Sequence, residues 1–186
     1  MGSRFEALVV EHCAATLAGH KCASLFCFRQ ANDADAADEA KRLDRLLKGK
    51  GVRVRLLKRC PGGALVYVYR PKKLQQQITE KDTAAFLLSL GYAPEETENC
   101  LERLSIKLWS REAFPHEMGV FLGYPLHDVK GFILHHGQHY CCKGCWKAYA
   151  NAEEAERRFT LYRRCQKTYL NFFHKGFDVA RLTVAA

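Results

Sequence analysis

The sequence predicts an α+β fold: a small antiparallel β-hairpin sheet in the N-terminal third, packed against a mainly helical C-terminal part. Residues 52–58 (VRVRLLK) and 64–70 (ALVYVYR) are short apolar-rich runs on either side of Cys60-Pro61-Gly62-Gly63, which reads as the turn of a hairpin. Beyond Pro71 the apolar residues recur at helical spacing instead. No internal repeat or low-complexity linker divides the two regions. Residues 1–186 therefore read as a single domain, β-containing over about 1–75 and helical over about 76–186.

In chain order, Phe5, Leu8, Val9, His12, Thr16 and Leu17 share one helical stripe, and Gly19 marks the end of that helix. Residues 24–29 (SLFCFR) suit a strand. Residues 33–47 form a helix with acidic residues early and basic ones late, as the helix dipole prefers, and with Leu43, Leu46 and Leu47 as its buried stripe. Helices follow over 82–90, stopping at Gly91, and over 95–109, with Leu101, Leu104 and Leu108 on one side. Pro115 opens a short helix to Gly123, because proline fits a first helical turn. A further short helix spans 126–134, then come a Cys/His-rich loop, a long helix over 153–174 and an extended tail.

A chain of 186 residues can bury a real core without disulfides or metal. Its apolar runs fall far short of the ~20 residues that cross a bilayer, and the first residues lack the layout of a secretion signal. The expectation is a cytoplasmic protein with no membrane partner. In a reducing compartment nine cysteines divide into metal-binding or redox thiols where clustered and small core residues where scattered. Thirteen lysines and arginines against two acidic residues between Lys41 and Lys81 give that stretch an excess of +11, above the +9 of the whole chain. Such a block attracts nucleic acid, acidic proteins or anionic cofactors without distinguishing among them.

Three groups of residues carry candidate chemistry. In the first, Cys142-x-x-Cys145 has the spacing at which two thiolates grip zinc or an iron–sulfur centre, or form a reversible disulfide. His139, Cys141 and the distant Cys165 are candidates to complete a ligand set; the alternative is a glycine-rich turn with unrelated cysteines. In the second, His12 sits in the apolar stripe of the first helix beside Cys13 and one turn before Thr16. Sequence neighbours on a helix point ~100° apart, so His12 and Cys13 are not an acid–base and nucleophile pair. A satisfied core histidine beside a buried cysteine is the alternative. In the third, Phe114-Pro115-His116-Glu117 puts an imidazole and a carboxylate in a first helical turn. His12 and His116 are expected to face one shared pocket with Cys13 and Glu117. Lys21, Arg70 and Tyr124 are candidates to hold an anionic cofactor.

Gly119, Leu122, Gly123, Tyr124 and Val129 also fall where a helix-turn-helix wants small and apolar residues. The helix that would enter the groove, LHDVKGF, has one lysine against one aspartate and an internal glycine, poor equipment for binding phosphates. Phosphate-loop, dinucleotide-binding and nucleophile-elbow glycine motifs are missing from the sequence.

The segments VEHCAATLAG (10–19), VYRPKKL (68–74), FPHEMGVFLGYP (114–125), DVKGFI (128–133) and CWKAY (145–149) resemble a bacterial family of unknown function, domain of unknown function 3793. The resemblance extends over nearly the whole chain, with Ala15 where the pattern has proline. It implies a cytosolic bacterial protein and no particular mechanism. The leading expectation is a metal- or thiol-dependent redox or cofactor-handling protein with a Cys/His-lined site, working with an anionic cofactor or a redox partner protein. A basic nucleic-acid-binding module and an adaptor with structural cysteines are the alternatives.

Overall fold

The computed structural model describes residues 2–29, 33–60, 63–110 and 114–185. Its organising element is β3 (Gly63–Tyr69), flanked on one side by β1 (Ala23–Arg29) and on the other by β2 (Arg53–Cys60), all antiparallel. Ala23 and Arg53 both stand opposite Tyr69, which fixes the register. The sequence ALVYVY is apolar at nearly every position because a central strand is covered on both faces. Ala64, Val66 and Val68 point to one side, Leu65, Tyr67 and Tyr69 to the other, as a period of two requires. β2 likewise gives Val54 and Leu56 to the first face and Leu57 to the second, and a bulge between Leu56 and Lys58 shifts its register against β3. The expected hairpin is present, but Pro61 and Gly62 of its turn lie outside the described residues.

On the first face lie α1 (Arg4–Leu17) and α2 (Asp33–Lys48). Ser3 caps α1 through a reciprocal box: its hydroxyl accepts from the Glu6 amide at 3.2 Å, and the Glu6 carboxylate accepts from the Ser3 amide at 3.0 Å. α1 buries Phe5, Val9, Val10, Cys13 and Leu17 against the sheet, while Ala14 and Ala15 meet Cys165 of α8 (Ala152–His174). Gly19, at φ 80°, ends the helix in the left-handed conformation that suits glycine. α2 turns Ala36, Ala40, Leu43 and Leu47 inward; Leu46, expected in that stripe, is 46% exposed because it lies about 60° round from Leu43 and about 100° from Leu47, on the outer side of both. The extended tail expected after α8 contains a short helix, α9 (Val179–Leu182), whose Val179 and Leu182 join this core.

On the second face pack α3 (Pro71–Thr79), α4 (Lys81–Ser89), α5 (Thr97–Trp109), α6 (Met118–Phe121) and α7 (Leu126–Leu134). α3 was not expected; Pro71 occupies its first turn and Leu74 and Ile78 are buried one turn apart. α5 buries Leu101, Leu104 and Leu108 as expected. The helix expected from Pro115 to Gly123 reduces to the four residues of α6 and ends at Gly123, at φ 76°. A Cβ on Gly119 would stand 2.8 Å from Val129 Cγ2, so α6 and α7 make close packing contact. The cysteine loop holds a two-strand ribbon, β4 (Cys142–Lys143) with β5 (Lys147–Ala148), too short to leave a periodic trace in sequence. No helix among the described residues is long and apolar enough to cross a membrane.

Candidate functional site

The β4–β5 ribbon is fastened to the helices by one carboxylate. Asp128 on α7 is 2% exposed and accepts hydrogen bonds from Trp146 Nε1 at 2.7 Å, the Tyr149 amide at 2.7 Å and the Ala150 amide at 3.3 Å. These three donors satisfy a charge that would be expensive to bury alone. Trp146 is stacked on Tyr124 at 5.0 Å and meets the edge of Phe159 at 4.5 Å. Tyr124 in turn donates to the Cys145 carbonyl at 3.0 Å. At Gly144 a Cβ would fall 2.3 Å from the Phe159 ring, so the ribbon turn lies directly on α8.

Cys145 is exposed and lines a cavity of about 350 Å³. Leu122, Val129 and Phe132 supply apolar wall, Trp146 and Tyr124 an aromatic one, and His116, Lys143 and Lys147 the polar rim. His116 is exposed, its ring 5.1 Å from that of Phe132. Lys147 Nζ donates to the Gly137 carbonyl at 2.6 Å. Behind Tyr124 lies Lys21, its ammonium 5.3 Å from the Tyr124 ring and 5.7 Å from that of Tyr162. Burial lowers the Lys21 pKa below its ordinary value, with the Cys145, Cys22 and Cys13 sulfurs pulling weakly the other way. Burial likewise pushes the Tyr162 hydroxyl up to about 12.

The structure separates several residues expected to act together. His12 lies on the exposed side of α1, stacked on Phe26 at 5.4 Å, and borders a small cleft of about 150 Å³ with Lys21, Tyr162 and Cys145. His116 borders the larger cavity instead, so the two histidines do not share a pocket; Cys145 is common to both spaces. Cys13 is fully buried, and burial holds its thiol near about 12 despite opposing contributions from Lys21 and Ser24. Thr16, also fully buried, shares a 2.9 Å hydrogen bond with Ser24. Both belong to the core of α1, because that helix is covered on two sides.

Glu117 turns away from His116. It is 7% exposed and accepts from Lys107 Nζ at 2.7 Å and Tyr92 OH at 2.9 Å. Burial alone would raise its pKa, but the Lys107 and Tyr92 hydrogen bonds outweigh that and hold it below the ordinary value. Arg70 does not face a ligand. It is 3% exposed and donates through Nε to the Thr16 carbonyl at 2.6 Å, and through Nη2 to the carbonyls of Leu17 and Val184 at 2.7 Å each.

Among the described residues, no three His, Cys, Asp or Glu side chains converge to hold a metal ion. Cys141 donates to the Ala148 carbonyl at 3.1 Å, Cys165 is buried against Ala14 and Ala15, and His139 is exposed with its ring 5.8 Å from His135. Burial, and then the neighbouring Cys141, raise the Cys142 pKa. The residues that the sequence reading missed are Asp128 and Trp146. A lone aspartate inside the apolar helix LHDVKGFIL was the available signal, since a carboxylate there must find donors.

No curated protein and no solved structure matches the sequence. The sequence model of the family described as protein of unknown function (DUF3793) matches residues 9–183, and on that coverage the chain belongs to this family.

Proposed function

We propose that the protein is a thiol-dependent ligand-handling protein that holds a small, largely aromatic anion in the cavity beside Cys145. The observation that carries this reading is the exposed Cys145 lining a space that also has apolar and aromatic walls and basic residues. Pockets with mostly apolar walls and a few placed polar groups are the usual form of small-molecule sites. Trp146 and Tyr124 offer flat surfaces to a ring, Lys143 and Lys147 attract its charge, and Cys145 lies against the occupant. A cytoplasmic setting, in which thiols stay reduced, belongs to this reading. The nucleic-acid alternative has less support, because Arg42, Arg53 and Arg55 of the basic block already pair with Glu6, Asp44 and Glu98.

The test uses 8-anilinonaphthalene-1-sulfonate, an aromatic anion, as the probe. It is expected to bind one per chain, to quench Trp146, and to slow alkylation of Cys145 by iodoacetamide. At a probe concentration about ten times Kd the rate falls about tenfold. Cys27, exposed on β1 and not among the residues that line the cavity, is the internal control and keeps its rate. Equal alkylation of Cys145 with and without saturating probe would sink the proposal.

A further inference from the structure

A second space lies on the other side of the Gly123–Tyr124 corner from the thiol cavity. It measures about 420 Å³ and is bounded by α3, the start of α4, the α6–α7 corner and α8. Its character differs from that of the first. Lys21, Lys73 and Arg158 supply three cations, and Gln76 and Gln77 supply amide donors. We propose that this cleft binds the phosphate group of a small phosphorylated molecule, with Lys21, Lys73 and Arg158 as its cationic partners. The inference stands independently of the thiol cavity.

Lys21 is the centre of the argument. The Gly19 turn brings the chain back on itself, and the His20 and Lys21 amides both donate to the Ala15 carbonyl, at 2.8 and 3.1 Å. The Lys21 side chain is thereby held between the Tyr124 and Tyr162 rings, partly buried and facing the cleft. Among the described residues no carboxylate pairs with its ammonium. A desolvated cation without a counter-charge is costly, and an incoming anion removes that cost. The lowered pKa described above expresses the same cost from the proton's side.

The cleft also contains one carboxylate, Glu80, and it is already committed. Its oxygens accept from the Asp82 amide at 3.3 Å, the Thr83 amide at 3.0 Å and the Thr83 hydroxyl at 2.8 Å, capping α4. Arg158 donates through Nε to Glu154 at 2.9 Å, and its two Nη groups have no hydrogen-bond partner among the described residues. With Arg158 paired to Glu154 and Glu80 engaged in its cap, Lys21 and Lys73 remain as two cations without a carboxylate partner among the described residues, which favours a dianion over a singly charged carboxylate ligand. Lysines act as point charges toward phosphate, and the arginine fork presents two parallel donors to its oxygens. The volume exceeds what a phosphate fills and lies within the ~300–1,000 Å³ range of small-ligand sites, leaving room for the body of an ester.

The experiment titrates the whole protein with inorganic phosphate and with pyrophosphate by calorimetry at low, constant chloride. Saturable binding of one ion per chain is expected. Lys73→Met and Lys21→Met should each weaken it about tenfold or more, the loss typical of one charge-assisted hydrogen bond. Lys167→Met, on an exposed part of α8 outside the cleft, should leave it unchanged. Lys73 is exposed, so its variant keeps the test sound if Lys21→Met folds poorly. A second readout is carbamylation of Lys21 by cyanate: pyrophosphate should suppress it and chloride should not. Absence of saturable heat up to about 10 mM of either ion, the limit of meaningful affinity here, would overturn the proposal. So would equal weakening by Lys167→Met, or duplex DNA that binds more tightly than pyrophosphate with the same dependence on Lys73.

Discussion

Replacing Arg70 with methionine should destabilise the protein by about 3 kcal/mol, a large share of the ~5–15 kcal/mol that holds a domain together. The guanidinium donates to three backbone carbonyls at 2.6, 2.7 and 2.7 Å, two at the C-terminus of α1 and one at Val184. Hydrogen bonds from a charged donor contribute ~1.5–3 kcal/mol each, so even the lower figure taken three times gives about 4.5 kcal/mol. Methionine keeps the apolar stem in place and removes the cost of burying a charge, which brings the expected loss below that sum. Arg70→Lys should recover less than half of the loss, because one ammonium cannot span three carbonyls at fork geometry. Urea denaturation followed by circular dichroism is the assay. With a slope near ~2 kcal/mol/M, the midpoint should fall by about 1.5 M at unchanged slope. A fall smaller than ~0.5 M for Arg70→Met, or a lysine variant equal to wild type, would refute the account of Arg70 as a clamp.

Two buried carboxylates invite the same treatment. Glu117 has its pKa held below the ordinary 4.5, so its stabilisation is complete above that value and is lost as pH falls through its folded pKa. Glu117→Gln should therefore cost about 1–2 kcal/mol at pH 7, and the gap to wild type should close in acid; a gap independent of pH in urea titrations would contradict this. Asp128→Ala removes the acceptor shared by Trp146, Tyr149 and Ala150. A loss of about 2–3 kcal/mol and a red shift of Trp146 emission are expected, and unchanged emission would show that the ribbon has another anchor.

Much of the fold was legible because its signals are local. The VRVRLLK and ALVYVY strands and the Leu101, Leu104, Leu108 stripe each lie within a few residues of chain. α3 was missed because Arg70-Pro71-Lys72-Lys73 resembles a loop, although Pro71 at a first turn with Leu74 and Ile78 one turn apart was available as evidence. α1 misled in another way. Its stripe through Phe5, Leu8 and His12 is real in the sequence, but the helix lies between the sheet and α8 and buries Val10, Cys13, Ala14 and Ala15 as well. On a helix covered from two sides, one periodic stripe no longer tells which residue faces solvent, and His12 fell on the open side. Cysteine spacing pointed to Cys145 as a member of a cluster. Its neighbours in space are nevertheless Tyr124, Lys21 and Tyr162, from three separate stretches of chain, and spacing within one loop carries no information about them.

The placement of α1 also sets an order of events for the growing chain. Residues near the amino terminus are made first, yet α1 finds its outer cover in α8 and α9, where Gln166 bonds the Glu11 carbonyl and Val179 and Leu182 join Phe5 in the core. Arg70 likewise waits for Val184, 114 residues later, before its third acceptor exists. During synthesis the sheet and its first two helices must therefore persist with one apolar flank open, and the last contacts to form join the two ends of the chain. Such distant closures slow folding and prolong the exposure of sticky surface. A chain shortened before α9 would keep every residue of the sheet and lose the segment that seals it.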